Sequence, residues 1–155
     1  MHIRTYQSGE EEELWQLYYN TTHIINWKIY TKEQVERWAP HTKNMEEWRE
    51  RISKKKPFVA VENNKIVGFA ELENDGHIDY FYVHHEWQGK GIGKVLYNTI
   101  EKEAKNRKIP YLYAEVSLSA KSFFLNQEFE ILEEKNNIIC GAPAKNFIMK
   151  KAFLL

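Results

Sequence analysis

Gln88-Gly89-Lys90-Gly91-Ile92-Gly93-Lys94 follows an apolar, aromatic run at residues 78–83 and precedes an amphipathic one at residues 95–105. Read physically, this is a strand, a tight glycine turn and the start of a helix. The glycines remove three β-carbons, so backbone can approach a ligand closely, and the first-turn N–H groups of the helix have no intrahelical partners. With the positive end of the helix dipole behind them, those donors form an anion seat suited to phosphate. Lys90 and Lys94 add charge beside it. A Walker loop would require G-x-x-x-x-G-K followed by Ser or Thr, and a dinucleotide fingerprint G-x-G-x-x-G; the spacing here is G-x-G-x-G, and neither fits. What the chain does read, from Gln88 through Gly91 to Gly93, is Q-x-x-G-x-G.

Working outward, the residues upstream predict a short strand at 2–6 and a helix opened by Ser8 with Glu11 three residues on, running to about Thr22. Thr31 with Gln34 repeats the capping signal for a second helix that stops near Pro40, and Asn44 opens a third at 45–53. Trp27, Trp38 and Trp48 give these helices an aromatic wall, which suits either an acceptor pocket or ordinary core. From Phe58 the period changes to two: strands at 58–62 and 66–72 join across Asn63-Asn64, and Asp75-Gly76 turns the chain into a third at 77–83. Downstream of the glycine turn come a helix from Gly93 to about Arg107, a strand at 111–116, a short helix opened by Ser119, and two strands at 129–140 and 144–151.

Composition narrows the function. The 155 residues form a single domain spanning 1–155, with 22 Lys and Arg against 22 Asp and Glu, so no overall field draws the chain to nucleic acid or an anionic membrane. A salt-dependent RNA complex would reopen that question. One cysteine, Cys140, excludes an intramolecular disulfide framework and a cysteine-rich zinc site; in a late strand it reads as a small buried hydrophobe. The first residues lack the pattern of a secretion signal and no apolar run reaches membrane-spanning length, so a cytoplasmic protein is expected.

The glycine stretch after a strand resembles the acyl-CoA pyrophosphate loop of the GNAT N-acetyltransferase superfamily, and the order of elements resembles that fold over nearly the whole chain. Residues 119–129 look like the family's short helix ending in Gly-Phe, with Glu128 in place of the glycine, and residues 146–151 like its closing strand. Residues 22–26 and 38–40 resemble one bacterial branch of small, mostly uncharacterised members. The resemblance implies an α/β (α+β) acyl-CoA N-acyltransferase fold with a mixed central sheet flanked by helices, and acetyl-CoA as donor co-substrate. In that family the pantetheine arm lies between two splayed parallel strands. Carried over, Phe81, Tyr82 and Val83 supply backbone groups to it, residues Gln88, Gly89, Lys90, Gly91, Ile92, Gly93 and Lys94 seat the pyrophosphate, and Ser117 and Ser119 add polar contacts.

The implied chemistry is transfer of an acetyl group to an amine of a small molecule or a peptide by direct attack in a ternary complex. A lysine-like amine of pKa about 10.4 is neutral only about one part in 2,500 at pH 7, a cost of roughly 4.6 kcal/mol, so a base beside it helps. His77 is the first candidate, eleven residues before Gln88, where the histone-modifying branch places a glutamate; Asp79, on the same face, is the second. His23, Tyr80 and Tyr82 are further candidates, whereas His84 and His85 read as solvated. Many members place a proton-donating tyrosine where this chain has Phe124, which can pack against pantetheine but cannot donate; Tyr82 or Ser117 would then serve, or the thiolate leaves unaided. A non-catalytic acyl-CoA-binding module is the alternative that Phe124 raises. Leu154 and Leu155 suit either docking on a partner chain, such as a homodimer mate, or capping of the core.

Overall fold

The computed structural model describes residues 1–40 and 44–153, together with the backbone but not the side chain of Trp27. Leu154 and Leu155, and Trp27 as part of an aromatic wall, therefore lie outside the described residues. Strands β1 (His2–Thr5), β2 (Phe58–Glu62), β3 (Lys65–Leu72) and β4 (Ile78–Val83) form one antiparallel sheet in that order. A second sheet has the order β5, β7, β6, from β5 (Tyr111–Ser117), β6 (Glu130–Ile139) and β7 (Ala142–Ala152). The helices are α1 (Glu11–Ile25), α2 (Lys32–Trp38), α3 (Met45–Lys55), α4 (Ile92–Asn106) and α5 (Lys121–Asn126). Among the described residues no helix is long and apolar enough to cross a membrane.

Local chemistry explains most of these boundaries. Thr31 and Gln34 form a full capping box on α2, and the Asn44 side chain accepts from the N–H groups of Glu46 and Glu47 at the start of α3. Asn63 and Asn64 both take positive φ, as a two-residue hairpin turn requires. The expected Ser8 cap does not form: α1 opens at Glu10, whose carboxylate instead binds Arg4, at 2.7 and 3.0 Å, and the Gln7 N–H. Ser8 lies two residues before that N-cap position, and α1 runs on to Ile25. Cys140 is not a buried hydrophobe within a strand: it is exposed in the β6–β7 turn with a φ of 51°.

Two apolar layers cover the two faces of the four-stranded sheet. On one side Leu96, Tyr97, Ile100 and Ala104 of α4 bury against Val67 and Ala70 of β3 and Leu112, Ala114 and Val116 of β5. On the other, Leu14, Trp15, Leu17 and Tyr18 of α1 pack with Trp48 and Ile52 of α3 over Val59, Val61 and Phe69. Trp48 is 1% exposed and stacks on Tyr18 at 5.8 Å, so it belongs to this core.

Glu128 carries a φ of +69°, so the backbone there is left-handed although the residue is not glycine. An L side chain in that region costs about 1 kcal/mol. Replacing Glu128 with Gly should therefore raise stability by about 0.5–1 kcal/mol, read as a higher urea midpoint at unchanged slope.

Candidate acyl-transfer site

The two sheets touch where β4 and β5 begin. His77 and Tyr113 form a parallel bridge, and the Tyr113 N–H donates to the Gly76 carbonyl at 3.0 Å. A β-carbon on Gly76, which has a φ of +95°, would collide with the Tyr111 carbonyl, so only glycine allows this approach. Beyond the bridge no pairing joins the two strands among the described residues. They part into a cleft that leads toward the glycine loop.

The cleft opens a cavity of about 450 Å³ between β4, β5, α5 and the start of α4. Of the residues expected to hold the donor, Phe81, Tyr82, Val83, Gln88, Gly89, Gly91, Ile92, Gly93, Lys94, Ser117, Ser119 and Phe124 all line it. Lys90 does not; its ammonium lies 4.7 Å over the Trp87 ring. Gly91 takes the N-cap position of α4 with a φ of +81°, and no side chain caps this fifteen-residue helix. The positions where β-carbons of Gly89 and Gly91 would stand are open, whereas one on Gly93 would meet Phe123 at 3.1 Å. The first-turn donors of α4 thus face unobstructed space at one end of the cleft.

Strand alternation decides which backbone groups face the cleft. The His84 N–H bonds Val67 of β3, so the neighbouring Val83, and Phe81 two residues back, direct their backbone away from β3. The Val83 carbonyl accordingly accepts from the Thr21 hydroxyl at 3.1 Å and the Gln88 amide at 2.7 Å. By the same alternation the Tyr82 backbone points to β3, while its side chain lines the cavity. Phe124 is 4% exposed and packs edge-on against Phe81 and Phe129. Ser117 and Ser119 share a hydrogen bond of 2.9 Å, and Ser119 donates to Asn26 of the first connector at 2.8 Å.

A bulge reshapes β4. Leu72 pairs with Ile78 but Ala70 with Phe81, so three steps on β4 oppose two on β3. Ile78 and Phe81 consequently pack with the α4 layer, while Tyr80 and Tyr82 pack with the α1 and α3 layer. Behind the bulge Glu71 is fully buried; its carboxylate is held by Arg51 of α3 at 2.6 and 2.7 Å and accepts the Tyr80 N–H at 3.3 Å. Burial pushes the Glu71 carboxyl up, against the pull of Arg51. The same guanidinium reaches Asp79 at 2.9 Å and lies 3.8 Å over the Tyr80 ring. Lys55 bridges Asp79 and Glu73, at 3.4 and 3.1 Å.

The candidate bases separate. His77 stacks on Tyr113 and its Nδ1 lies 2.7 Å from Glu73, beside the closed end of the cleft, and it lines neither this cavity nor its neighbour. Asp79 lines both, with a carboxylate oxygen within 4.8 Å of His77 and Glu73 side-chain polar atoms. His23 lies apart from both cavities; its Nε2 contacts the Ala39 carbonyl at 2.7 Å. His84 is 7% exposed rather than solvated: its Nδ1 accepts the Glu86 N–H, and burial holds its pKa down. Burial likewise pushes the Tyr82 phenol up, opposed by a hydrogen bond from the Trp38 side chain, so at neutral pH it keeps its proton.

A second cavity of about 370 Å³ adjoins the first and shares Trp38, Asp79, Tyr82, Glu115 and Ser117 with it. Glu115 is a site residue that the motif reading passes over. With Leu112, Ala114 and Val116 buried against α4, the alternation of β5 turns Tyr113, Glu115 and Ser117 to the opposite face, and that alternation is legible in the sequence itself.

Residues 27–139 match the family model described as the acetyltransferase (GNAT) domain, which is most of the chain; the protein belongs to the GNAT acetyltransferases. The chain is 26% identical over 149 residues to the uncharacterised N-acetyltransferase YafP of Escherichia coli K12, covering 96% of this chain and 93% of that one. Among solved structures, a GCN5-related N-acetyltransferase from Rhodopseudomonas palustris superposes with a TM-score of 0.90 at 26% identity, over 98% of this chain and 95% of its own. PaiA N-acetyltransferase from Thermoplasma acidophilum, determined with coenzyme A, gives 0.75 at 22% identity over 98% of both chains, a likeness of fold.

Proposed function

We propose that this acetyltransferase moves an acetyl group from acetyl-CoA to the amine of a small molecule or peptide by direct attack, with the donor in the larger cavity and the amine entering from the smaller one. The observation that carries this reading is the pair of cavities sharing Asp79, Tyr82, Glu115 and Ser117 along the split between β4 and β5. Donor and acceptor placed in them meet over the same side chains, which brings nucleophile and carbonyl together without a covalent enzyme intermediate.

In this reading the α4 N-terminus and the glycine loop hold the pyrophosphate, and the Phe81 and Val83 backbone aligns the arm that follows it. Asp79 and Glu115 attract the ammonium. Asp79 takes the proton, through water, and hands it toward His77 and Glu73 at the surface, which gives His77 a place one step behind the reacting atoms. The Tyr82 hydroxyl, which retains its proton at neutral pH, is the donor for the departing thiolate.

The test is a thiol-release assay of the purified chain with acetyl-CoA over a broad amine panel. Asp79→Asn should lower kcat by about 10–100-fold, whereas His77→Ala should lower it less than about fivefold, with acetyl-CoA affinity unchanged in both. Equal losses in the two variants would return the base to His77. Acetyl-CoA binding without turnover on any amine would favour the binding-module alternative.

A further inference from the structure

We propose that the acceptor is a compact amino acid, an amine and a carboxylate on one apolar or aromatic skeleton, and that Arg37 receives its carboxylate. This rests on the donor and acceptor assignment above and deepens it.

The smaller cavity has three kinds of wall. The wall it shares with the donor cleft carries the carboxylates of Asp79 and of Glu115, which is half exposed and lies 3.8 Å from Lys135; this is the side chosen for an ammonium. Its body is flat and largely apolar, from Tyr30, Trp38, Tyr80 and Tyr82. Its outer wall is one face of α2, because Gln34, Arg37 and Trp38 follow the i, i+3, i+4 spacing that stacks side chains on one side of a helix.

That face is anchored. The Gln34 side chain is 4% exposed and its amide nitrogen lies 3.0, 2.9 and 3.2 Å from the carbonyls of Ile139, Ala142 and Pro143 in the β6–β7 turn. Arg37, one turn on, lines the cavity from the same helix.

The charges in the cavity differ in how far they are already satisfied. Arg51 and Lys55 flank Asp79, the Asn146 amide donates to Glu115 at 2.7 Å, and Lys145 pairs with Glu134 at 3.0 Å. Arg37 has no ion-pair partner among the described residues. A guanidinium without an ion pair, lining one cavity with two carboxylates and the rings of Tyr30, Trp38, Tyr80 and Tyr82, is complementary to a zwitterion. A guanidinium pairs with a carboxylate through two parallel hydrogen bonds, which a lone amine or an amide cannot offer. In a peptide the α-carboxyl of the N-terminal residue is tied up as an amide, so the small molecule is favoured.

The experiment compares amino acids with their own amides, which keep the amine and side chain and lose only the carboxylate charge, using the full chain with saturating acetyl-CoA. For the best acceptor, wild type should favour the acid over its amide by about tenfold in kcat/KM, and more salt should shrink that ratio because Arg37 is exposed. Arg37→Gln should bring the ratio to within about twofold by raising KM for the acid, with kcat and the calorimetric affinity for acetyl-CoA little changed. An amide used as well as its acid by wild type, a preference that survives Arg37→Gln, or acetyl-CoA binding with no amino acid acetylated would each overturn the proposal. Failure of the chain to bind acetyl-CoA at all would remove the donor assignment first, and this proposal with it.

Discussion

Gly91→Asp should abolish measurable acetyl-CoA binding, a loss of at least about 100-fold by isothermal titration, while leaving a folded protein. Gly91 is the N-cap of α4, and the space its β-carbon would enter is open, so the new side chain displaces nothing. What it changes is charge. An aspartate there places a carboxylate among the first-turn N–H groups, where it satisfies the donors and occupies the positive end of the dipole that a pyrophosphate would use. Like charges set against each other in a binding site cost several kcal/mol, and about 2.8 kcal/mol already amounts to 100-fold. The backbone contributes separately, because a φ of +81° strains any L residue by about 1 kcal/mol. Gly91→Ala isolates that part: it should lose stability to the same extent yet keep acetyl-CoA affinity within about tenfold. Equal binding losses in both variants would mean that loop conformation, not the anion seat, governs the donor site.

The glycine loop was legible because its signal is local. Three glycines, a strand before and a helix after are contiguous in the chain, and the hairpin asparagines and the caps at Thr31 and Asn44 are equally short-range. The split between the sheets was not legible, since it depends on Gly76 meeting Tyr111 and Tyr113 across thirty-odd residues. The histidines show the same limit. His77 has the spacing and chemistry of a base, but whether it faces the cleft depends on where the bridge to Tyr113 closes. Glu71 illustrates it most sharply: nothing local in the 66–72 strand marks it, and only the arrival of Arg51 from α3, twenty residues earlier, makes its full burial tolerable. Phe124 is the reverse case, a residue singled out for a missing hydroxyl that packs as ordinary core along the cavity wall.

Removing Arg51 should cost more stability than any surface change in the molecule, and a paired substitution separates that cost from the role of Arg51 beside Asp79. Arg51→Met leaves the Glu71 carboxylate fully buried without its two charged hydrogen bonds, a situation that destabilises by about 3–5 kcal/mol, or roughly 6–20 °C in melting temperature for a domain of this size. The loss should depend on pH with a definite sign. With Arg51 gone, only burial acts strongly on Glu71 and its folded-state pKa rises; the variant is then least impaired below the ordinary carboxylate range and loses stability as pH climbs through the raised value. Adding Glu71→Leu removes the orphaned charge, and Arg51→Met/Glu71→Leu should recover most of the melting temperature and lose the pH dependence. Acetyl transfer should not recover with it. In the double variant Asp79 still lacks the guanidinium that holds it at 2.9 Å, and the bulge lacks the carboxylate that accepts the Tyr80 N–H, so kcat should stay depressed about tenfold beside a near-normal melt. Full recovery of both would assign Arg51 and Glu71 to stability alone; recovery of the melt without the rate identifies the buried pair as the part of the fold that aims Asp79 into the site.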